Sequence, residues 1–166
     1  NSLNETGAGD NATLTVTMNP VASSATTVTL ALSGTATGGG SDYSIDNTVL
    51  TIAAGVATAT AMINAQDDPY YDDGETIIVD INSVSGGNSA TESGTQQEIL
   101  TFNDNEIQPT VSLMVDSNSM GETGGSVTLT ATLSYANSAS ASVTLGTSGT
   151  ATNATDYNLS SSTITI

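Results

Sequence analysis

The chain has 166 residues, 17 of them Asp or Glu, and no Lys, Arg or His, so its formal charge is −17. Without His or Cys there is no Ser-His or Cys-His nucleophile system, and the usual zinc, copper, haem and iron–sulfur ligands are missing. Without Lys or Arg there is no Schiff base, no phosphate-binding lysine and no counterion release on nucleic acid.

In chain order, the sequence reads as short strands. Residues 12–18, 27–32 and 48–52 alternate polar and apolar with period two. Residues 56–64 form a weaker, Ala-rich candidate. The alternation resumes at residues 76–81 and 98–102, and residues 110–115 open a further strand. Gly, Ser, Asn and Asp clusters separate them, such as Thr37-Gly-Gly-Gly-Ser41 and Ser85-Gly-Gly-Asn88. Thr and Val are β-branched and suit a half-buried pleat. No stretch of helical length has a 3.6-residue period, and no run approaches the roughly 20 apolar residues of a membrane span. Turns every eight to twelve residues or so predict an all-β sandwich or barrel. The 22 Ser and 29 Thr would suit disorder, but a disordered tract need not carry this periodicity.

The chain repeats itself. Asn1-Ser-Leu-Asn-Glu-Thr-Gly7 matches Asn118-Ser-Met-Gly-Glu-Thr-Gly124. Gly34-Thr-Ala-Thr37 matches Gly149-Thr-Ala-Thr152, and Asp42-Tyr43 matches Asp156-Tyr157. The offset falls from 117 to 114, which gives a unit of about 115 residues. Residues 1–107 then form one repeat lacking its first strand, and residues 108–166 the first half of a second. The expectation is that the polypeptide continues in both directions, or that another chain completes each half. A sheet left with an open edge aggregates or finds a donor strand.

Asp67-Asp-Pro-Tyr-Tyr-Asp-Asp-Gly-Glu75 packs five acids into nine residues between two candidate strands. No protein cation is available to pair with them. Clustered carboxylates must then be held by a metal ion, by hydrogen bonds or by protonation. A solvated acidic loop is the plain alternative. A hard cation such as Ca²⁺, which takes about six to eight oxygen ligands, is the functional one. The spacing is not that of an EF-hand.

At this point the chain resembles a known family, the Calx-β domains. These are immunoglobulin-like antiparallel β-sandwiches found in sodium–calcium exchangers and in tandem arrays of large surface adhesins. The resemblance rests on Glu5-Thr-Gly7, Gly34-Thr-Ala36, Ser41-Asp-Tyr43 and Thr51-Ile52 with the Gly55 turn. It rests also on Asp67-Asp68, Asp72-Asp-Gly-Glu-Thr76 and the closing Asn103-Asp-Asn105. It implies calcium ligands gathered at one end of the sandwich: Glu5, Asp42, Asp67, Asp68, Asp72 and Asp104, with Asp73, Glu75, Asn103, Asn105 and Glu106 as secondary candidates. Glu122 and Asp156 would begin a partial second site. Family members that bind several calcium ions tend to close with three consecutive Asp. Here Asn103 and Asn105 flank a single Asp, which implies fewer ions or weaker affinity.

The expected function is non-catalytic. A carboxylate pair of glycosidase type is the remaining catalytic option, but Trp is absent and aromatics are 4%, so a sugar-stacking cleft is hard to build. Nucleic acid and anionic membrane surfaces would be repelled. The resemblance implies an extracellular or cell-surface repeat module of a fibrous or adhesive protein, rigidified by Ca²⁺ at the inter-repeat end. Its partners would be neighbouring repeats or identical subunits. Two alternatives stand beside it: a filament subunit completed by a strand from a neighbouring chain, and a calcium-sensing regulatory domain.

Overall fold

Threonines and valines spaced two apart favour the extended chain over the helix. Accordingly, every regular element among the described residues of the computed structural model is a strand. Residues 1–6 and 10–166 are described; Gly7, at the end of the Glu-Thr-Gly match, lies outside them. The strands are β1 (Ser2–Asn4), β2 (Asn11–Thr17), β3 (Thr26–Gly34), β4 (Tyr43–Ile45), β5 (Val49–Ile52), β6 (Thr58–Ala65), β7 (Thr76–Gly86) and β8 (Gln97–Asn103). They continue with β9 (Val111–Val115), β10 (Leu129–Leu133), β11 (Ser142–Thr144) and β12 (Thr163–Thr165). The chain separates into two units, Asn1–Asn105 and Glu106–Ile166.

The first unit is a sandwich. A five-stranded sheet has the order β1-β8-β7-β3-β5, and a three-stranded sheet has the order β2-β6-β4. All neighbours are antiparallel except β1, which runs parallel to β8 with Asn4 beside Asn103. One buried cluster draws on both sheets: Val28, Leu30, Ile77, Val79, Leu100 and Phe102 from the first, Tyr43, Ala61 and Ile63 from the second. The alternation read in the sequence is what turns these residues inward. In β6, Ala61, Ile63 and Ala65 are buried while Thr58, Thr60 and Met62 are exposed.

Two devices fix the end of the sandwich that carries the acids. Tyr43 stacks on Phe102 with ring centroids 6.2 Å apart, tying the β3–β4 loop to the last strand of the unit. Gly34 ends β3 at φ +121°, so close to β7 that a Cβ there would lie 2.1 Å from the Thr76 carbonyl oxygen. The Thr35 and Ala36 N–H groups both donate to that carbonyl, at 3.0 and 3.1 Å. The Thr76 N–H donates to Thr35 Oγ1 at 2.9 Å. The exit of the acidic loop is thereby bolted to the end of β3.

One strand pairing of the first unit recurs in the second. β11 pairs with β12 so that Val143 faces Ile164, as Val28 faces Leu50 in the β3–β5 pair. β9 pairs antiparallel with β10, the counterpart of β2. No described residue of this unit is buried.

Most strands fall where the alternation predicts them. β7 runs further, to Gly86. β10 is an addition, and so are β1, β4, β11 and β12, three residues each, since three residues are too few to display a period.

Candidate metal centre

Four segments converge at one end of the first unit. Glu5 follows β1 and is fixed by its own N–H, which donates to the Asn103 carbonyl at 2.9 Å. Asp42 closes the turn before β4: its N–H donates to the Thr37 carbonyl at 3.1 Å, and its Oδ2 accepts the Thr37 N–H. Asp68, Asp72 and Glu75 come from the β6–β7 loop. Asp104 follows β8, and its Oδ2 accepts the Asp72 N–H at 2.6 Å. Gly74, at φ +87°, turns the acidic loop so that its N–H meets the Phe102 carbonyl at 3.2 Å. The loop is thus stitched to the strand that carries Asp104.

The outcome is two carboxylate triads sharing one member. Glu5, Asp72 and Asp104 each offer an oxygen within 4.8 Å of the others, and so do Asp42, Asp72 and Glu75. Glu5 and Asp42 are buried, and the other three are half-buried. Glu75 Oε2 is buried with no hydrogen-bond donor. It can form a hydrogen bond with the neighbouring Asp42 carboxylate only if one of the two holds a proton.

Electrostatics records the crowding. Burial, then the charges of Asp72, Asp104, Asp42 and Asp68, push the Glu5 carboxyl up to about 8. Burial, then Asp68, Asp104 and Asp42, push Asp72 up to about 6. Burial and the contact with Asp42 push Glu75 up to about 7. Burial and Asp42 also raise the Tyr43 phenol. These carboxylates therefore sit together at a cost that either protons or a cation can offset. The donor set is oxygen only and anionic, with no nitrogen or sulfur, which fits a hard divalent cation of calcium type.

The remaining candidates lie around this centre. Asp68 acts on Glu5, Asp72 and Glu75 by charge, while its Oδ1 accepts the Tyr70 N–H at 2.8 Å. Asp67 is exposed, belongs to neither triad and accepts from Asn105 Nδ2 at 3.2 Å. Asp73 is exposed and accepts the Asp104 N–H at 3.3 Å. Asn103 donates from Nδ2 to Asn4 Oδ1 at 3.0 Å. Glu106 falls in the second unit, half-buried. In that unit Glu122 and Asp156 are both exposed, and Asp156 Oδ2 accepts the Thr152 N–H at 2.6 Å. This is the same turn that Asp42 makes with Thr37, so the turn-closing role of this Asp occurs in both units.

Sequence reasoning passed over Asp10. Its Oδ2 accepts from the Asn4 N–H and Nδ2 at 3.1 and 3.0 Å, and its Oδ1 from the Asn11 N–H at 3.0 Å. It joins the end of β1 to the start of β2 and so helps to place Glu5. A lone Asp after Gly carries no signal for that role.

An all-β sandwich with a carboxylate centre at one end, followed by a second unit that repeats one of its strand pairings and one of its turns, defines a tandem β-sandwich repeat protein. The chain belongs to the Calx-beta domain family, whose model matches residues 5–106 and again residues 104–165. Among solved structures it is similar to the calcium binding domain CBD12 of CALX1.1. That match has a TM-score of 0.52 at 14% identity and covers 87% of this chain and 76% of that one. It is also similar to CBD12 from CALX1.2, with a TM-score of 0.52 at 13% identity, covering 82% of this chain. This chain spans 66% of the length of that structure. At such identity the likeness speaks to fold alone. No curated protein matches the sequence.

Proposed function

We propose that the chain is a stretch of a tandem Calx-β array whose first unit binds Ca²⁺ at the Glu5, Asp42, Asp72, Glu75 and Asp104 centre, with Asp68 and Asp67 at its margin. The observation that carries this reading is the sharing of Asp72 between two carboxylate triads with no protein cation anywhere in the chain. Residues 1–107 act as one repeat and residues 108–166 as part of the next. The role is structural and non-catalytic: a spacer in an extracellular fibrous or adhesive protein, stiffened by calcium. Asp104 lies on the segment by which the chain leaves the first unit. An ion held there fixes that exit, and its loss lets five loop carboxylates repel one another. The absence of any Lys or Arg, and so of any trypsin site, suits a shaft exposed to proteases.

Small-angle scattering with calcium and with chelator tests the mechanical part. The expected result is a narrower distribution of lengths with calcium, and an unchanged profile would contradict it. Affinity separates this brace from a calcium sensor. An extracellular brace works at tens of micromolar to millimolar affinity, whereas a cytosolic sensor needs roughly 10⁻⁷–10⁻⁵ M.

A further inference from the structure

Strand β1 delivers the buried Glu5, yet little within β1 holds it in place. It is a three-residue edge strand. Its ladder with β8 is parallel, a pairing slightly less stable per residue than the antiparallel one. Leu3 is its one buried side chain, and burial of the Glu5 carboxylate opposes docking. Asn4 supplies the missing hold. Its N–H and Nδ2 donate to Asp10 Oδ2 at 3.1 and 3.0 Å, and its Oδ1 accepts from Asn103 Nδ2 at 3.0 Å. Asp10 is anchored in turn. Its Oδ1 accepts the Asn11 N–H at 3.0 Å, and its carbonyl accepts the Ala65 N–H at 2.8 Å. A continuous chain of hydrogen bonds thus runs from β8 in the five-stranded sheet, through Asn4, to Asp10 and the end of β6 in the three-stranded sheet.

Each member is chemically matched to its place. An amide at position 4 both donates and accepts, as this chain requires, and an amide at position 103 donates where a carboxylate has no proton to give. The two oxygens of Asp10 accept three N–H bonds, so its charge is met without a cation, unlike Glu75 Oε2, which has no donor. Asp10 belongs to neither carboxylate triad. The arrangement is particular to the first unit. Gly121 stands in the place of Asn4, and residues 125–127, which lie between Gly124 and Thr128 as Asp10 lies between Gly7 and Thr13, are Gly, Ser and Val.

We infer that the Asp10–Asn4–Asn103 chain is a latch on β1 that sets the calcium affinity of the centre, and that the Asn103 side chain is a strut of this latch and not a ligand. The inference rests on the calcium reading given above. Asp10 and Asn103 are positioning residues, acting through Asn4 on the adjacent Glu5. Docking of β1 and filling of the centre are therefore coupled, and such coupling is reciprocal. Bound calcium makes β1 harder to release, and a broken latch makes calcium easier to lose. Groups that orient metal ligands from outside are typically worth about 10–100-fold in affinity. Asp10 acts through one intervening residue, which sets its effect at the lower end of that range.

Two measurements on the full chain test the latch. In calorimetric titration, Asp10→Ala is expected to bind calcium about tenfold more weakly, with the number of ions unchanged, and Asn103→Ala is expected to match it. Asp10→Asn keeps a side-chain oxygen for Asn4 but no charge, and is expected to recover most of the affinity. Equal affinity in Asp10→Ala and the natural chain overturns the inference and leaves the calcium reading standing. So does an Asp10→Asn variant as weak as Asp10→Ala, since charge and not the latch would then matter, or the loss of an ion in Asn103→Ala, since Asn103 would then be a ligand. No calcium uptake by the natural chain overturns the calcium reading and this inference together. The second measurement needs no metal: digestion in chelator by a protease that cuts after Glu. Cleavage after Glu5 requires β1 to leave β8, whereas cleavage after Glu98, inside β8, requires the unit to open. In Asp10→Ala the cut after Glu5 is expected several-fold faster and the cut after Glu98 unchanged. Equal acceleration at both would mark a general loss of stability and overturn the latch.

Discussion

Glu5 is the residue on which the account of the acidic end turns. It is 3% exposed, carries no cation partner, and faces Asp72 and Asp104. Its carboxyl is pushed from 4.5 up to about 8, with Glu75 at about 7 and Asp72 at about 6. In each case the folded state holds the proton more tightly than the unfolded state does. The stabilisation is therefore complete below the ordinary carboxylate range and is lost as pH rises through about 6 to 8. In chelator the melting temperature of the first unit is expected to fall between pH 5 and pH 8. Calcium is expected to reverse that fall at pH 8, because the cation replaces the protons. A melting curve that rises with pH in chelator would contradict this. The composition and the run from Asp67 to Glu75 made the existence of such a centre legible in the sequence, but not its membership. Asp67 and Asp73 face out while Asp72 and Glu75 meet Asp42, because Gly74 and the hydrogen bonds to Phe102 and Asp104 set the turn. Linear spacing does not encode which acids that turn gathers.

At the scale of elements, the acidic loop is positioned by the strands that flank it. β3 ends against the start of β7 at Gly34, where only a residue without a Cβ fits. Gly34→Ala brings a Cβ to 2.1 Å from the Thr76 carbonyl at a positive φ. The expected cost is about 2–4 kcal/mol of stability, from backbone strain and the displaced β7 start. It should be accompanied by weakened metal binding, since Thr76 adjoins Glu75. Chemical denaturation and calcium titration of the variant read both effects, and a loss below about 0.5 kcal/mol would show that the contact relaxes freely. Phe102→Ala removes the stacking partner of Tyr43 and a side chain 1% exposed. Its expected cost is about 3–5 kcal/mol. The strands themselves were readable, because Thr and Val alternate with period two and pleats impose that period. β1 and β4 were not, because their formation rests on β8 and β6 rather than on their own sequence. The Tyr43–Phe102 contact, between residues 59 positions apart, is likewise tertiary and invisible to a local pattern.

For the whole molecule, the internal repeat was the most legible feature. Matching offsets placed Thr152 and Asp156 where Thr37 and Asp42 stand, and the structure gives both pairs the same turn. On the proposed calcium-binding reading, the charge of −17 is that of the metal-free molecule. Calorimetric titration of calcium into the full chain and into its Asp72→Asn variant tests this most directly, because Asp72 belongs to both triads. The expected result is saturable calcium binding with a raised melting temperature for the natural chain, and the loss of both in Asp72→Asn. Absence of binding at millimolar calcium, or equal binding by the two proteins, would contradict it.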